Sequence, residues 1–291
     1  MNKMSVIINC YGPLDSIQYF YKTASSLKQS NGDSTEVNLI FSDSSPEDVY
    51  KSNDLYLNSL FDSCFFKHIK LDNKGEPYAL NKVIDYAAKY NPDLIMILTD
   101  DAILMSSLPY SNIFEYFGKN CKPESDILLL TDDNTIIQGK EVKRSTENGM
   151  IFSPNLFGKI KFRDELIMDQ FDLIFCDTIY QIGGKIKVFP HTLLGVGPIG
   201  REKNHGHSFI PPWRMYLLIR NTLSLWMEGK YKLFNDVLIG DFYWILKSLF
   251  YSKRKDKLTY FRAIFLGLID GIKQELGITK TLTELSNGRF Q

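Results

Sequence analysis

Two adjacent carboxylates at the end of an apolar run are the first residues here whose placement could do chemistry. Ile95-Met96-Ile97-Leu98 runs directly into Thr99-Asp100-Asp101. A buried strand that delivers paired carboxylates to its C-terminal edge can hold a hard divalent cation, Mg2+ or Mn2+, against phosphate oxygens. A near copy, Leu130-Thr131-Asp132-Asp133, follows Ile127-Leu128-Leu129. Position favours the first copy, which closes three βα units, whereas the second precedes a polar, irregular segment at 134–148. Further on, Asp169 and Asp172 stand three apart at a helix start, which puts both on one face of its first turn. The chain contains neither G-x-G-x-x-G nor G-x-x-x-x-G-K-[ST]. A glycine-rich loop therefore does not cradle phosphate, and binding of a nucleoside diphosphate would fall to a metal.

The elements that must position these residues alternate regularly. Val6-Ile7-Ile8 reads as a buried strand breaking at Gly12-Pro13, with a helix over roughly 15–29. Val37 to Phe41 is a second strand, ending at Asp43-Ser44-Ser45-Pro46, and residues 65–71 form a shorter third. A helix runs from Gly75 to about Tyr90, with Ala79, Val83 and Ala87 on one face, before the strand at 94–98. This β-α-β-α-β order predicts a parallel sheet with helices on both faces and ligands at the C-terminal edge. Residues 186–191 form another strand. From Pro211 the chain becomes a long helical zone rich in Leu, Phe, Tyr and Trp, interrupted at Lys253-Arg254-Lys255-Asp256-Lys257. The expected organisation is an α/β domain over 1–210 and a helical, aromatic, basic extension over 211–291.

The chain has 291 residues, 44% of them apolar, and no net charge, so bulk electrostatics supplies no case for nucleic acid. The charge is unevenly distributed: residues 201–291 carry 15 Lys and Arg against 8 Asp and Glu, and residues 1–200 carry 19 against 26. A basic C-terminal third suits an anionic surface such as a membrane. Four dispersed cysteines and the lack of a signal-peptide pattern point to free thiols in a reducing cytoplasm. No apolar stretch reaches the ~18 residues of a transmembrane helix.

With these residues in view, the chain resembles the family-2 glycosyltransferases of the bacterial rhamnosyltransferase type. The family phrase N-x-G-x(3)-A-x-N appears as Asn73, Gly75, Ala79 and Asn81. Its strand-end D-x-D aligns with Thr99-Asp100-Asp101, with Thr99 replacing the first Asp. Its F-I-D-x-V-D-x-E-W-C phrase appears as residues 167–176, where Asp172 matches the catalytic base and Ile174 replaces the usual Glu. R-x-Y-Y-x-x-R-N appears as Arg214, Tyr216, Arg220 and Asn221, and the closing G-x-x-D-G as Gly267 to Gly271. The family's late His is replaced by Val196-Gly197-Pro198-Ile199-Gly200, with His191 a few residues early and His205 and His207 a little late.

The resemblance implies a GT-A fold: a Rossmann-like nucleotide-binding sheet with an acceptor half, here followed by the C-terminal helical extension. Asp101 with Asp100 would hold Mg2+ or Mn2+, with His191 as a third ligand. Asp172 would be the general base, with Asp169 its competitor for that role. Tyr11 would stack on the nucleobase and Asp43 hydrogen-bond base or ribose. Asn73, Gly75, Asn81, Asp100, Arg214 and Arg220 would complete the nucleotide-sugar site. The implied activity is inverting transfer of a sugar, L-rhamnose from dTDP-L-rhamnose first, to a lipid-linked glycan in O-antigen, capsule or wall polysaccharide synthesis. The protein would be cytoplasmic and peripheral on the inner leaflet, with a homodimer as a further partner state. Other readings are a hexose, N-acetylhexosamine or galactofuranose donor, or a catalytically idle subunit that binds glycan or lipid. A nucleotidyltransferase would need a glycine-rich, basic N-terminal loop, which Asn9-Cys10-Tyr11-Gly12-Pro13 does not provide.

Overall fold

The computed structural model describes residues 2–17, 20–29, 35–62, 66–104, 110–130, 140–191, 194–196, 202–204, 207–230, 245–250 and 257–290. Asp132, Asp133, Cys64 and His205 lie outside the described residues. The chain forms two compact units. One comprises Met1–Asp72, Ala79–Phe162 and Asp172–Gly197; the other comprises Asn73–Tyr78, Arg163–Phe171 and Pro198–Gln291. In place of a single boundary at 210, two short earlier segments belong with the C-terminal helices.

The first unit carries the expected alternation. It runs β1 (Asn2–Cys10), α1 (Phe20–Gln29), β2 (Thr35–Asp43), α2 (Glu47–Leu60), β3 (Phe66–Lys70), α3 (Glu76–Ala87) and β4 (Leu94–Thr99). Then follow β5 (Ala102–Leu104), α4 (Tyr110–Asn120), β6 (Ile127–Leu129), β7 (Glu141–Val142), β8 (Met150–Phe152), α5 (Pro154–Phe157), α6 (Phe171–Gln181), β9 (Ile186–Val188) and β10 (Leu194–Val196). Eight strands form one sheet in the order β3-β2-β1-β4-β8-β6-β9-β7. The pairs β3-β2, β2-β1 and β1-β4 are parallel, and β8 enters antiparallel to both β4 and β6. The expectation of a parallel sheet therefore holds for β1 to β4 and stops at β8.

Parallel strands covered on both faces read as continuous apolar runs. Val6, Ile7 and Ile8 and the whole of Ile95 to Leu98 are buried to 1% exposure or less. The register pairs Cys10 with Asp43 and Asn9 with Thr99. The ends of β1, β2 and β4 are thereby level, and the loops they carry emerge at one edge.

The second unit contains β11 (Glu202–Asn204), β12 (His207–Phe209), α7 (Pro212–Met227), α8 (Lys257–Ile272) and α9 (Lys280–Leu285), with a further helical stretch at 245–250. α7 and α8 pack closely because two glycines of α8 face the α7 backbone. A Cβ at Gly267 would lie 2.9 Å from the Tyr216 carbonyl oxygen, and one at Gly271 2.9 Å from that of Arg220. The Tyr216 hydroxyl donates to Asp270 across this contact at 2.6 Å. Burial and that carboxylate push the Tyr216 hydroxyl up to about 12, so it stays a donor at neutral pH. The closing G-x-x-D-G phrase is thus a helix-packing device.

Candidate active site

At the shared strand edge, β4 ends in Thr99 and turns at Asp100 and Asp101. Both carboxylates are engaged by the chain. The Tyr11 amide donates to Asp100 Oδ2 at 3.1 Å, which ties the loop after β1 to the end of β4. The Thr99 hydroxyl donates to Asp101 Oδ1 at 2.6 Å and fixes its rotamer. Thr99 is itself held, its amide donating to Asn148 Oδ1 at 3.2 Å. Where the family pattern has an Asp, this chain has a hydroxyl that orients the remaining one.

The donor set suits a hard divalent cation held by one or two carboxylates and completed by substrate phosphates and water. It does not suit a cage built by protein alone: among the described residues no three His, Cys, Asp or Glu side chains cluster as ligands. His191 is exposed, and its ring packs edge-on against Phe189 at 5.6 Å. The expectation that His191 joins Asp100 and Asp101 as third ligand is therefore corrected.

At the end of β2, Asp43 has no exposed surface. Its Oδ1 accepts from the Ser45 amide at 2.8 Å, and its Oδ2 accepts from Asn53 Nδ2 at 2.7 Å. His68 Nε2 lies 3.2 Å from the same Oδ2, while His68 Nδ1 lies 3.0 Å from Asp54. Burial alone would raise the Asp43 pKa, but the hydrogen bonds from His68, Asn53 and Ser45 outweigh it and hold the carboxyl below its ordinary range. Asn53 extends the network by accepting from the Leu14 amide at 2.9 Å and donating to the Gly12 carbonyl at 3.0 Å. Asp43 thus braces the loop that carries the exposed Tyr11 ring, and with no exposed surface of its own it is not open to the direct base or ribose contact expected of it. The same burial, with Asp100 and Asp43 nearby, pushes the Cys10 thiol well up and keeps it neutral.

The N-x-G-x(3)-A-x-N phrase is likewise structural in its contacts. The side-chain amide of Asn81 pairs with the Phe162 backbone, donating at 2.9 Å and accepting at 3.1 Å. Gly75 sits at φ +103° with its Cα against Ile167, where a Cβ would lie 2.4 Å from the carbonyl oxygen. Asn73 Nδ2 donates to the Arg289 carbonyl at 2.6 Å. Asn81, expected to bind donor, has its amide occupied by these two backbone bonds.

The loop before α6 is tightly held and unusual in backbone. Ile167, Asp169 and Gln170 all have positive φ, a region that costs non-glycine residues on the order of 1 kcal/mol each. α7 supplies the compensation. Arg214 grips Asp169 with three contacts of 2.7–3.1 Å. Asn221 Nδ2 donates to the carbonyls of Leu166, Met168 and Asp169. Arg220, fully buried, donates to Asn221 Oδ1 and to the carbonyls of Gly277 and Leu166. Arg220 therefore has no surface for a donor phosphate, which corrects the expectation placed on it. Asp169 precedes the helix rather than sharing its first turn with Asp172, and its carboxylate is committed to Arg214. Asp172, half-buried in the first turn of α6, has Oδ1 on the Leu173 amide at 2.9 Å, at the positive end of the helix dipole.

Sequence reasoning missed His68, Asn53, Tyr50 and Asp54. The available signal was a polar group at 50, 53 and 54 on one face of α2, opposite His68 and Lys70 two apart on β3. Tyr50 stacks on His68 at 4.3 Å, and Lys70 reaches the Ser45 carbonyl.

No protein-family model and no curated protein sequence matches this chain. Solved structures do, at low identity. TarS of S. aureus, residues 1–349 in complex with UDP, matches at 16% identity and a TM-score of 0.55, over 99% of this chain and 87% of that one. The mannosyltransferase PcManGT of Pyrobaculum calidifontis, in complex with GDP-Man and Mn2+, matches at 12% identity and a TM-score of 0.56, over 98% and 83%. GalNAc-T7 with UDP, GalNAc and Mn2+ matches at 12% identity and a TM-score of 0.50, over 67% and 43%. The chain spans 50% of the longer TarS structure. The shared architecture is the GT-A fold, as the motif series implied.

Proposed function

We propose that this protein is an inverting, metal-dependent glycosyltransferase that uses a nucleoside-diphosphate sugar. The observation that carries the reading is the convergence of three elements at one sheet edge: the braced Tyr11 loop, the Asp100-Asp101 turn and the level ends of β1, β2 and β4. Structures of the same fold hold UDP, or GDP-Man with Mn2+, which supports a donor of that class.

In this reading Tyr11 offers its ring to the nucleobase, and Asp43 keeps that loop in place through Ser45 and Asn53. Asp101, oriented by Thr99, and Asp100 would hold Mg2+ or Mn2+, which supplies positive charge beside the leaving diphosphate. Asp172 takes the proton of the acceptor hydroxyl as that oxygen attacks the anomeric carbon, and single displacement inverts it. Asp169, bound to Arg214, shapes the loop that leads into Asp172. The motif resemblance favours dTDP-L-rhamnose as donor and a lipid-linked glycan at the inner leaflet as acceptor.

A thermal-shift panel of nucleotide sugars, with and without Mn2+, tests the donor class, because a bound ligand stabilises the folded state by mass action. Asp172→Asn separates binding from chemistry: the shift should persist while transfer disappears. Unchanged turnover in that variant would remove Asp172 as base, and no shift with any sugar nucleotide would remove the donor reading.

A further inference from the structure

The outer face of α8 has no counterpart in the chemistry above. Leu258, Phe261, Phe265, Leu268 and Ile272 are 82%, 58%, 62%, 43% and 58% exposed. Their spacing of 3-4-3-4 confines them to an arc of about 80° along roughly 21 Å of helix. The opposite face, Tyr260, Ala263, Gly267, Asp270 and Gly271, is buried against α7. The helix is thus apolar on both faces, one of them turned outward. A continuous exposed stripe of Phe, Leu and Ile marks a docking surface.

Charge selects among occupants. Lys257 opens the helix, and Lys253, Arg254 and Lys255 precede it by two to four residues in the sequence. Residues 201–291 carry 15 basic against 8 acidic side chains. An apolar stripe carried by a basic part of the chain complements an anionic bilayer surface, with the helix lying in the interfacial plane. A second copy of the chain fits less well. The stripe extends over only two heptads, short of the three to four that sustain a coiled coil. The flanking positions, Arg262, Ile264, Ile269 and Gly271, offer no acidic partner to an opposing Arg262. No helix among the described residues is long and apolar enough to cross a membrane, so the contact would be peripheral.

We infer that the outer face of α8 docks the protein on anionic lipid. The inference builds on the lipid-linked acceptor proposed above, and it is read without any nucleotide sugar. The full chain is incubated with phosphatidylglycerol-containing or purely phosphatidylcholine vesicles and floated. Binding to the anionic vesicles is expected, and the double variant Phe261→Ser/Phe265→Ser should bind about a hundredfold more weakly with an unchanged melting temperature. Equal vesicle binding by the variant overturns the inference, as does equal binding to neutral vesicles. A change from dimer to monomer on substitution would assign the face to a second copy, and a marked fall in melting temperature would assign it to cover by the chain itself; either overturns it. Vesicle binding without any donor-induced thermal shift would instead retire the glycosyltransferase reading and leave this one standing.

Discussion

Arg214 holds Asp169 through a forked contact, with Nε 3.1 Å from both carboxylate oxygens and a terminal nitrogen 2.7 Å from Oδ1. Asp169 has φ +58°, between two other positive-φ residues counted from Ile167 to Gln170. The ion pair therefore stabilises a backbone that local preferences disfavour. This loop runs directly into the first turn of α6, which carries Asp172.

Arg214→Ala should accordingly lower stability by about 1–3 kcal/mol, since it leaves a largely buried carboxylate without its partner. Arg214→Lys should restore the charge but not the fork, recovering less than half of that loss. In both variants kcat should fall more than KM rises. Thermal melts and steady-state kinetics check this, and a pure KM effect would point to direct donor contact by Arg214 instead.

Asp43 predicts a specific acid sensitivity. Its folded-state pKa lies below the ordinary carboxylate value, because the bonds from His68, Asn53 and Ser45 outweigh burial. A depressed pKa contributes stability that is fully present above the unfolded value and lost as pH falls through the folded one. Asp43→Asn should therefore be less stable than the wild type at pH 7, with the gap narrowing below about pH 4. Melting curves of both proteins across that range measure it. A gap independent of pH would show that the carboxylate's charge contributes nothing there.

Strands β1, β2 and β4 were legible because each is a buried apolar run ended by a turn residue, at Gly12-Pro13, at Ser45-Pro46 or at Asp100-Asp101. The GT-A fold was legible from the spacing of the motifs. What could not be read was which polar motif residues face a ligand and which serve the backbone. Arg220, Asn81 and Asp43 have the side chains of ligand-binding residues, yet they spend their hydrogen bonds on Leu166, Gly277, Phe162 and Ser45. Residue type is the same in both uses, and only burial tells them apart. Asp169 was misplaced because a 3.6-residue period assumes helical backbone, and nothing in Ile167 to Gln170 announces positive φ.

Thr99 gives a test of the metal proposal through a residue that would not itself bind metal. Its hydroxyl orients Asp101 at 2.6 Å, and groups that orient a ligand typically influence metal affinity by tenfold or more. Thr99→Val keeps the shape and removes the donor. About a tenfold higher Mn2+ concentration should then be needed to reach half of the donor-induced thermal shift, with the apo melting temperature nearly unchanged. An unaltered Mn2+ requirement would separate Asp101 from metal binding.

Gly75 carries the sharpest steric prediction in the chain. At φ +103° it occupies backbone space that side-chain-bearing residues rarely adopt, and a Cβ would lie 2.4 Å from the Ile167 carbonyl oxygen, 2.7 Å from its Cα and 2.9 Å from its carbonyl carbon. All three obstacles are backbone, so no rotamer change relieves them. The neighbouring Glu76 amide donates to that same Ile167 oxygen at 2.9 Å, so any retreat of the loop also breaks a hydrogen bond. Gly75→Ala should cost about 2–4 kcal/mol, well beyond the ~1 kcal/mol of an ordinary surface change. Because Ile167 begins the positive-φ loop before Asp172, transfer should fall in the fraction that still folds, while the Mn2+-dependent donor shift proposed for Asp100 and Asp101 should persist. Melting temperature, donor shift and turnover measured on one preparation decide it: a variant as stable and as active as the wild type would show that the loop does not depend on this contact.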